Sequence, residues 1–212
     1  MLFEETVDPK LAELTRQLCV YPPLSNFVLV GGTALSLQIG HRRSIDIDLF
    51  SNESFEAEKM AKTLINDYGL LVNNRFTNTI LGTINSIKID ILSHQYKWIR
   101  PWVEMKGIRM ASCEDIAAMK LNAITDNGSR LKDFVDIAFL SSHFTLQQML
   151  DFFEMKYTGN SSIIALKSLC YFEDIDFDVD INYRNHAISW KTIQSRIIDM
   201  VQNPQKKFGE IK

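Results

Sequence analysis

Two aspartates, Asp46 and Asp48, lie two residues apart in the stretch 44–50, which reads S-I-D-I-D-L-F. Polar and apolar residues alternate along it, so we predict a strand whose buried face is formed by Ile45, Ile47 and Leu49. Carboxylates at positions i and i+2 of a strand point the same way and can share a cation, whereas without one they repel each other. Mg²⁺ or Mn²⁺ accepts carboxylate oxygens, so the spacing predicts a metal-binding pair. The alternative interpretation is a surface β-hairpin with two solvated aspartates.

A glycine pair, Gly31-Gly32, separates two predicted elements upstream of the aspartates. The apolar run 27–30, F-V-L-V, is long enough for one buried strand and too short for a helix. The apolar spacing of residues 33–39 predicts a short helix that begins at Thr33. Unsatisfied backbone N–H groups and the positive end of the helix dipole favour a phosphate at such a helix start. Gly31, Gly32 and Thr33 therefore form a candidate phosphate cradle.

A third carboxylate lies on another predicted strand. Residues 79–84 and 87–92 have the composition of two strands joined by a two-residue turn. In the second strand, isoleucines alternate with Lys88 and Asp90, which therefore share the polar face. An aspartate in this position can be merely solvated, so the pattern alone leaves open whether Asp90 belongs to a site.

The order of these features resembles a known superfamily. Gly-Gly, a helix and Asp-x-Asp on the next strand are similar to the signature of the nucleotidyltransferases that include DNA polymerase β. The fuller string G-G-T-A-L-S-L-Q-I-G-H-R-R-S-I-D-I-D-L-F resembles the AbiEii/AbiGii toxin branch of that superfamily. The resemblance implies an α/β fold. A nucleotidyltransferase-type core, with a short mixed β-sheet flanked by helices, would be followed by a helical C-terminal part.

The resemblance also implies roles for individual residues. The substrate would be a nucleoside triphosphate (NTP), and Mg²⁺ or Mn²⁺ would be the cofactor. A third carboxylate on a neighbouring strand would complete the metal site and deprotonate the attacking hydroxyl, and Asp90 occupies the matching position. Asp46, Asp48 and Asp90 are therefore the predicted metal ligands. Of the adjacent Arg42 and Arg43, only one can face the site on an extended chain, and we expect Arg43 to bind the nucleotide.

A second set of charged residues follows in the strings A-S-C-E-D-I-A-A-M-K-L-N-A-I and R-L-K-D-F-V-D-I-A-F-L. Both strings have helical periodicity, with Lys120 on the first helix and Asp133 and Asp136 on the second. They resemble the AbiEii-type pattern after the catalytic sheet. That resemblance implies that Lys120 contacts the triphosphate and that Asp133 and Asp136 orient basic residues near the site. The alternative is a surface ion-pair network, in which Lys132 and Asp136 form an ordinary i,i+4 pair.

Composition limits the other possibilities. The 212 residues are 46% hydrophobic and 23% charged, as is usual for a soluble globular protein. The net charge of −3 provides no overall basic field, so any nucleic-acid surface must be local. Three scattered cysteines, Cys19, Cys113 and Cys170, fit neither a disulfide framework nor a zinc site and suit a reducing cytosol. No signal peptide or membrane-spanning run is recognisable, so we expect a cytoplasmic protein with no membrane partner.

Several predictions concern the remaining segments. Ser54 is expected to cap a helix that runs to Tyr68, and the basic, aromatic stretch 96–109 is expected to cover a sheet rather than stack bases. The acidic stretch 173–181 lacks the glycine and glutamate of a calcium loop and is expected to be extended. The tail after Pro204 is expected to fray. Further helices are predicted after Pro9 and over residues 145–157, 161–172 and 190–201.

Together these patterns predict two parts, a catalytic core over residues 1–110 and a helical part over 111–212 that contributes Lys120 and the Lys-Asp-x-x-Asp helix to the site. The resemblance implies a Mg²⁺-dependent nucleotidyltransferase that moves an NMP from an NTP to an acceptor hydroxyl. A tRNA 3′ end is the candidate acceptor. The protein would be the toxin of a phage-defence or toxin–antitoxin system, with a cognate antitoxin encoded nearby. The alternatives are transfer to a small-molecule or protein hydroxyl, and a non-catalytic nucleotide-binding protein of the same fold.

Overall fold

The computed structural model describes residues 1–211, which form two compact units, one of residues 1–111 and one that begins at Ser112. The described strands all lie in the first unit. Its helices are α1 (Pro9–Val20), α2 (Gly31–Ile39) and α3 (Ala57–Tyr68), and its strands are β1 (Val28–Leu29), β2 (Ile47–Ser51), β3 (Leu71–Phe76), β4 (Thr79–Ile84), β5 (Ile87–Ser93), β6 (Val103–Met105) and β7 (Ile108–Met110). The second unit contains α4 (Cys113–Asp126), α5 (Leu131–Leu140), α6 (Leu146–Lys156), α7 (Ser162–Leu169) and α8 (Trp190–Gln202).

The strands of the described residues form one mixed sheet in the order β3-β4-β5-β2-β1-β7-β6. Strand β2 is parallel to β5 and antiparallel to β1, while β4 pairs antiparallel with both β3 and β5. The α/β fold with a short mixed sheet and a helical C-terminal part is thus confirmed. The surface-hairpin alternative is wrong, because β2 has a strand on each side and is separated from β1 by α2.

The sheet has one apolar face and one half-exposed face across β2, β5 and β4. Alternate residues of these strands are almost completely buried, namely Ile47, Leu49, Ile80, Ile84, Ile89 and Ile91. The intervening residues are only partly buried, and these include Asp48 and Asp90. Because successive side chains of a strand point to opposite faces, both carboxylates lie on the half-exposed face.

Local signals correctly predict several element ends. The Asp8 carboxylate caps α1 by accepting a hydrogen bond from the backbone N–H of Lys10, and Gly69 ends α3 in the left-handed conformation. Asn85 and Ser86, both with positive φ, form the two-residue turn between β4 and β5.

The predicted cap of α3 is wrong, and part of the stretch 96–109 joins the sheet instead of covering it. Helix α3 begins at Ala57 with Glu56 as its N-cap, so Ser54 does not cap it. The stretch 96–109 contains the hairpin of β6 and β7, whose turn has positive φ at Lys106 and Gly107. Its Arg109 donates hydrogen bonds to the carbonyls of Phe27 and Leu24, so this cation serves the packing of the core.

In the second unit, Ser112 caps α4 by accepting a hydrogen bond from the backbone N–H of Asp115. Within the described part of the tail, Phe208 is bound to its own unit, contrary to the prediction that the tail frays. The backbone N–H of Phe208 donates to the carbonyl of Ser141 over 3.0 Å, and the Arg196 guanidinium lies 4.9 Å from the centre of the Phe208 ring. Both contacts hold the tail against helices of its own unit.

We find no helix in residues 1–211 that combines the length and the apolar composition needed to cross a bilayer.

Candidate active site

Asp48 and Asp90 are brought together by the register of two parallel strands. Strand β2 pairs with β5 so that Asp48 lies opposite Asp90, between the buried pairs Ile47–Ile89 and Leu49–Ile91. The Oδ1 atom of Asp90 is buried without a hydrogen-bond partner, and its Oδ2 accepts a 2.8 Å hydrogen bond from Lys88 Nζ. Two carboxylates that lie side by side repel each other unless a cation offsets their charge.

Asp46 lies one residue before β2, so it is not on the strand as predicted. The predicted inward position of Ile45 is also wrong, since this side chain is 69% exposed. Hydrogen bonds from α2 to the backbone before Ile47 explain why the strand starts only after Asp46. The buried hydroxyl of Thr33 lies 2.8 Å from the hydroxyl of Ser44 and hydrogen-bonds to the carbonyl oxygen of Asp46, which fixes the backbone before the strand begins.

The Lys88 ammonium group interacts with all three aspartates, Asp46, Asp48 and Asp90. Its pKa is raised, first by the hydrogen bond to Asp90 and then by attraction to the carboxylates of Asp90, Asp46 and Asp48, while partial burial opposes the shift. Each of the three carboxylates therefore stabilises one positive charge at this position. The sequence patterns did not predict Lys88 as a residue of the site. The available signal is its position two residues before Asp90, which places both side chains on the same face of β5.

The donor chemistry of this face fits a hard divalent cation. The adjacent carboxylates of Asp48 and Asp90 offer oxygen ligands, and the buried Oδ1 of Asp90 has no protein hydrogen bond to lose. Across residues 1–211, no three His, Cys, Asp or Glu side chains already have the mutual spacing of a metal site. Ligation by Asp48 and Asp90, with Asp46 as the third ligand, therefore stays a prediction.

The glycine pair lies directly against the Asp48 carboxylate. Helix α2 begins at Gly31, separated from β1 by Val30, whose N–H donates to the Asp48 carbonyl over 2.9 Å. Gly31 has a φ of +68°, and a Cβ on it would lie 2.5 Å from Asp48 Oδ2. Both the backbone conformation and the close approach require glycine here. The first N–H groups of α2, which helix geometry leaves unsatisfied, therefore start next to the carboxylate.

Helix α2 begins two residues earlier than predicted, at Gly31 instead of Thr33. The Thr33 side chain is buried and bonded to the loop before β2, so only its backbone N–H remains a candidate phosphate donor. The arginine beside the cradle is Arg42 rather than the predicted Arg43. The Arg42 guanidinium is buried and would clash with a Cβ on Gly32, whereas Arg43 is exposed.

In the second unit, Lys120 forms a buried cluster with two aspartates. Its Nζ lies 2.6 Å from Asp133 Oδ1 and 2.8 Å from Asp136 Oδ2, and the Asp136 side chain has no exposed surface. Arg130 adds a longer contact of 3.7 Å to Asp133. The alternative of a surface network with a Lys132–Asp136 pair is wrong, because Asp133 and Asp136 point into the unit and bind Lys120. The predicted contact between Lys120 and a triphosphate stays a prediction.

Comparison with known proteins shows the family to which the chain belongs. Residues 14–210 match the family model described as nucleotidyl transferase AbiEii toxin, type IV TA system. The chain belongs to the AbiEii nucleotidyltransferase family. It is 29% identical over 176 residues to the uncharacterized protein aq_aa25 of Aquifex aeolicus, a match that covers 80% of this chain and 84% of that protein.

Two solved structures from Helicobacter pylori have the same fold as this AbiEii family member. A candidate nucleotidyltransferase matches with a TM-score of 0.54 and 19% identity over 92% of this chain and 93% of its own. The protein JHP933 matches with a TM-score of 0.52 and 19% identity over 98% and 94%. With the family match, the fold identifies the chain as a nucleotidyltransferase.

Proposed function

We propose that this AbiEii nucleotidyltransferase moves an NMP from an NTP to the 3′-terminal hydroxyl of a tRNA, with Mg²⁺ or Mn²⁺ as cofactor. The observation that supports this most strongly is the register pairing of Asp48 with Asp90, beside a helix start where Gly31 leaves room for the Asp48 carboxylate. Oxygen ligands for a cation and N–H donors for a phosphate are thereby adjacent.

In the proposed reaction, the acceptor oxygen forms a bond to the α-phosphorus while the bond from that phosphorus to the β-phosphate oxygen breaks. The hydroxyl proton passes to Asp90, and pyrophosphate leaves. The N–H groups of Gly31, Gly32 and Thr33 bind phosphate oxygens, and Arg42 offsets their charge. Asp46, Asp48 and Asp90 would hold the cation, which when bound offsets the charge that builds up on the phosphates.

The roles in the second unit follow the family pattern. Lys120 contacts the triphosphate in this proposal, and Asp133 and Asp136 orient its ammonium group through the contacts described above. The core over residues 1–110 would supply the chemistry and the part over residues 111–212 would supply this lysine.

The biological part of the proposal rests on the family description, which names a toxin of a type IV toxin–antitoxin system. We propose that the protein acts as such a toxin, in the cytoplasm and in phage defence, and that a cognate antitoxin counteracts it. In the producing cell, growth arrest should require an intact Asp48, so expression of the wild type and of Asp48→Asn side by side tests this part.

A transfer assay tests the chemistry. Purified protein is incubated with Mg²⁺, total tRNA and each α-labelled NTP in turn, alongside Asp48→Asn and a sample with excess EDTA. A second tRNA sample is oxidised with periodate, which destroys the 3′-terminal ribose hydroxyls. We expect label to enter intact tRNA with one or a few NTPs, and no label to enter the oxidised tRNA, the variant reaction or the EDTA sample.

Other results would contradict parts of the proposal. Equal labelling of intact and oxidised tRNA would mean that the acceptor is not the 3′ end. Label in protein or in small molecules would replace tRNA as the acceptor class. Transfer that survives in Asp48→Asn would contradict the proposed role of this carboxylate.

A further inference from the structure

The half-exposed face of the sheet carries an apolar residue in line with each of the carboxylates of Asp48 and Asp90. Phe50 follows Asp48 by two residues on β2, so it lies on the same face about 7 Å further along the strand. It pairs in register with Leu92, which stands in the same relation to Asp90 on β5. The row of carboxylates is thus followed by an apolar row at the carboxyl ends of both strands.

Two further rings extend this row beyond the sheet. The Phe50 and His94 rings lie 5.5 Å apart with an interplanar angle of 38°, and the His94 and Tyr96 rings lie 4.8 Å apart at 46°. We call Phe50, His94 and Tyr96 the aromatic stack. The backbone fixes its base, because the N–H of His94 donates to the carbonyl of Ser51 over 2.7 Å. Its outer end is accessible, since Tyr96 is 43% exposed.

The position of the aromatic stack relative to the glycine pair indicates which substrate it meets. Strand β1 and the Gly31 turn lie on one side of β2, whereas β5 lies on the other. Phosphates bound at Gly31 would therefore lie on the β1 side of Asp48. The stack begins at Phe50 on β2 and continues through His94 and Tyr96, which follow β5, so it lies at β2 and β5 and away from β1. In the proposed reaction the acceptor hydroxyl meets Asp90 on this β5 side.

We infer that the aromatic stack is a subsite for the acceptor, and that it holds the 3′-terminal base of a single-stranded polynucleotide while the 3′ hydroxyl lies at Asp90. This inference rests on the proposed nucleotidyl transfer. Every base has a π-face that stacks on an aromatic ring, so such a platform suits polynucleotide ends of varied sequence.

The alternative, that these rings only cover the sheet, explains less. Packing accounts for Phe50, which is half-buried on the sheet. It does not explain why Tyr96, which contacts the His94 ring, remains 43% exposed at the outer end of the aromatic stack. A local platform of this kind also removes the difficulty that the net charge of −3 poses for RNA binding, because stacking does not depend on a basic field.

Fluorescence of a base analogue tests the subsite directly. The probe is a single-stranded RNA dodecamer with 2-aminopurine, whose fluorescence is quenched by stacking, as the 3′-terminal base. A matched dodecamer carries the analogue at the 5′ end. We expect the full chain to quench the 3′ probe and leave the 5′ probe bright. Tyr96→Leu should weaken binding of the 3′ probe on the order of tenfold and remove the quenching.

Three further variants make the test specific. Tyr96→Phe keeps the ring and should behave as the wild type, and His94→Leu should lose quenching as Tyr96→Leu does. Trp102→Leu is the matched control, since Trp102 is an exposed aromatic residue of the same unit, 46% accessible, outside the aromatic stack. It should leave both affinity and quenching unchanged. Equal quenching of the two probes, or unchanged binding in Tyr96→Leu, would overturn the inference.

Parallel NTP titrations and transfer assays separate this inference from the proposed function. Mg²⁺-dependent NTP affinity should be unchanged in Tyr96→Leu, and a fall would mean that the stack holds the base of the NTP, which would overturn the inference. Quenching without any nucleotide transfer would support the subsite and contradict the proposed function. Transfer to tRNA by a protein that leaves the 3′ probe bright would support the proposed function and overturn the subsite.

Discussion

Asp48 and Asp90 are direct register partners on the parallel strands β2 and β5, so their carboxylates lie side by side on the half-exposed face of the sheet. Two anions in this position destabilise the fold unless a cation lies between or beside them. Lys88 supplies one positive charge from the same face. In the proposed function, a divalent cation bound by both carboxylates would offset the remaining repulsion in the folded protein.

This relationship predicts opposite effects of Asp48→Asn on activity and on stability. Loss of one carboxylate should lower transfer on the order of 10³-fold, because cation binding contributes several kcal/mol to the transition state. Without Mg²⁺ the variant should melt at the same temperature as the wild type or higher, since one repulsion is gone. Mg²⁺ should raise the Tm of the wild type because it binds the native state, and it should leave the Tm of Asp48→Asn unchanged.

Thermal unfolding in EDTA and in Mg²⁺, followed by circular dichroism, measures both stability effects. The control is Asp67→Asn, which changes an exposed carboxylate of α3 without touching the sheet face. It should keep the Mg²⁺-dependent shift. A wild-type Tm that does not respond to Mg²⁺ or Mn²⁺ would argue against a cation at Asp48 and Asp90.

The contact between Gly31 and Asp48 predicts an unequal cost for two alanine substitutions. Gly31→Ala forces a left-handed backbone on alanine and also places a Cβ 2.5 Å from Asp48 Oδ2. Gly69→Ala has the same backbone problem, at a φ of +66°, with no atom within 4 Å of the added Cβ. We expect Gly69→Ala to lose about 1–2 kcal/mol of unfolding free energy and Gly31→Ala about 2–5 kcal/mol.

Urea denaturation of the two variants measures this difference. Gly31→Ala should also lose NTP binding, because relief of the clash must displace either the carboxylate or the helix start, whereas Gly69→Ala should retain it. Equal losses of stability in both variants would mean that the Asp48 side chain moves aside without cost.

Local sequence signals predict the framework of the site. The alternation of isoleucines with polar residues in β5 and of apolar with acidic residues before Phe50 places Asp48 and Asp90 on one face, because strand periodicity is a property of the backbone. The glycine pair and the end of α2 at Gly40, which has a φ of +67°, follow equally from backbone chemistry.

What local patterns do not predict is which distant groups a side chain meets. Ile45 matches the period-two pattern but is exposed, because the tether from Thr33 to Asp46 delays the start of β2. Lys132 and Asp136 have the spacing of a helix pair, yet Asp136 is directed inward to Lys120 on another helix. Such pairings depend on tertiary packing, which spacing along one element does not encode.

The different burial of Arg42 and Arg43 predicts different effects on nucleotide binding. Arg42 lies against Gly32 at the start of α2. Arg42→Met should therefore weaken NTP binding about tenfold to a hundredfold, which is the effect expected from losing a charged hydrogen bond to a phosphate. Arg43→Met should remain closer to the wild type, because it is the Arg42 guanidinium that lies against Gly32. Arg42→Lys should recover part of the affinity, since lysine keeps the charge but lacks the planar fork.

Equilibrium NTP titrations in Mg²⁺ measure these effects, with circular dichroism to verify that Arg42→Met folds. If Arg43→Met weakened binding more than Arg42→Met, the nucleotide would lie on the opposite side of the extended segment before β2.

Two buried lysines of the second unit allow structural and nucleotide-binding roles to be distinguished. Lys120 binds Asp133 and Asp136, and Lys156 binds Asp115 over 2.8 Å with both side chains fully buried. Lys120→Met leaves two buried carboxylates and Lys156→Met leaves one without its lysine, so each variant should lose at least about 3–5 kcal/mol of unfolding free energy. Only Lys120→Met should also lower NTP affinity, because only Lys120 is proposed to contact the triphosphate.

Both variants are compared by urea denaturation and by NTP titration at a temperature where each is folded. Lys156→Met is the matched control, since it removes the same charge from a similarly buried pair. If the two variants lost stability equally and both kept full NTP affinity, the Lys120 cluster would serve the packing of α4 against α5 alone. A selective loss of affinity in Lys120→Met would instead assign the second unit a part in nucleotide binding, because a purely structural lysine changes folding without changing the affinity of the protein that remains folded.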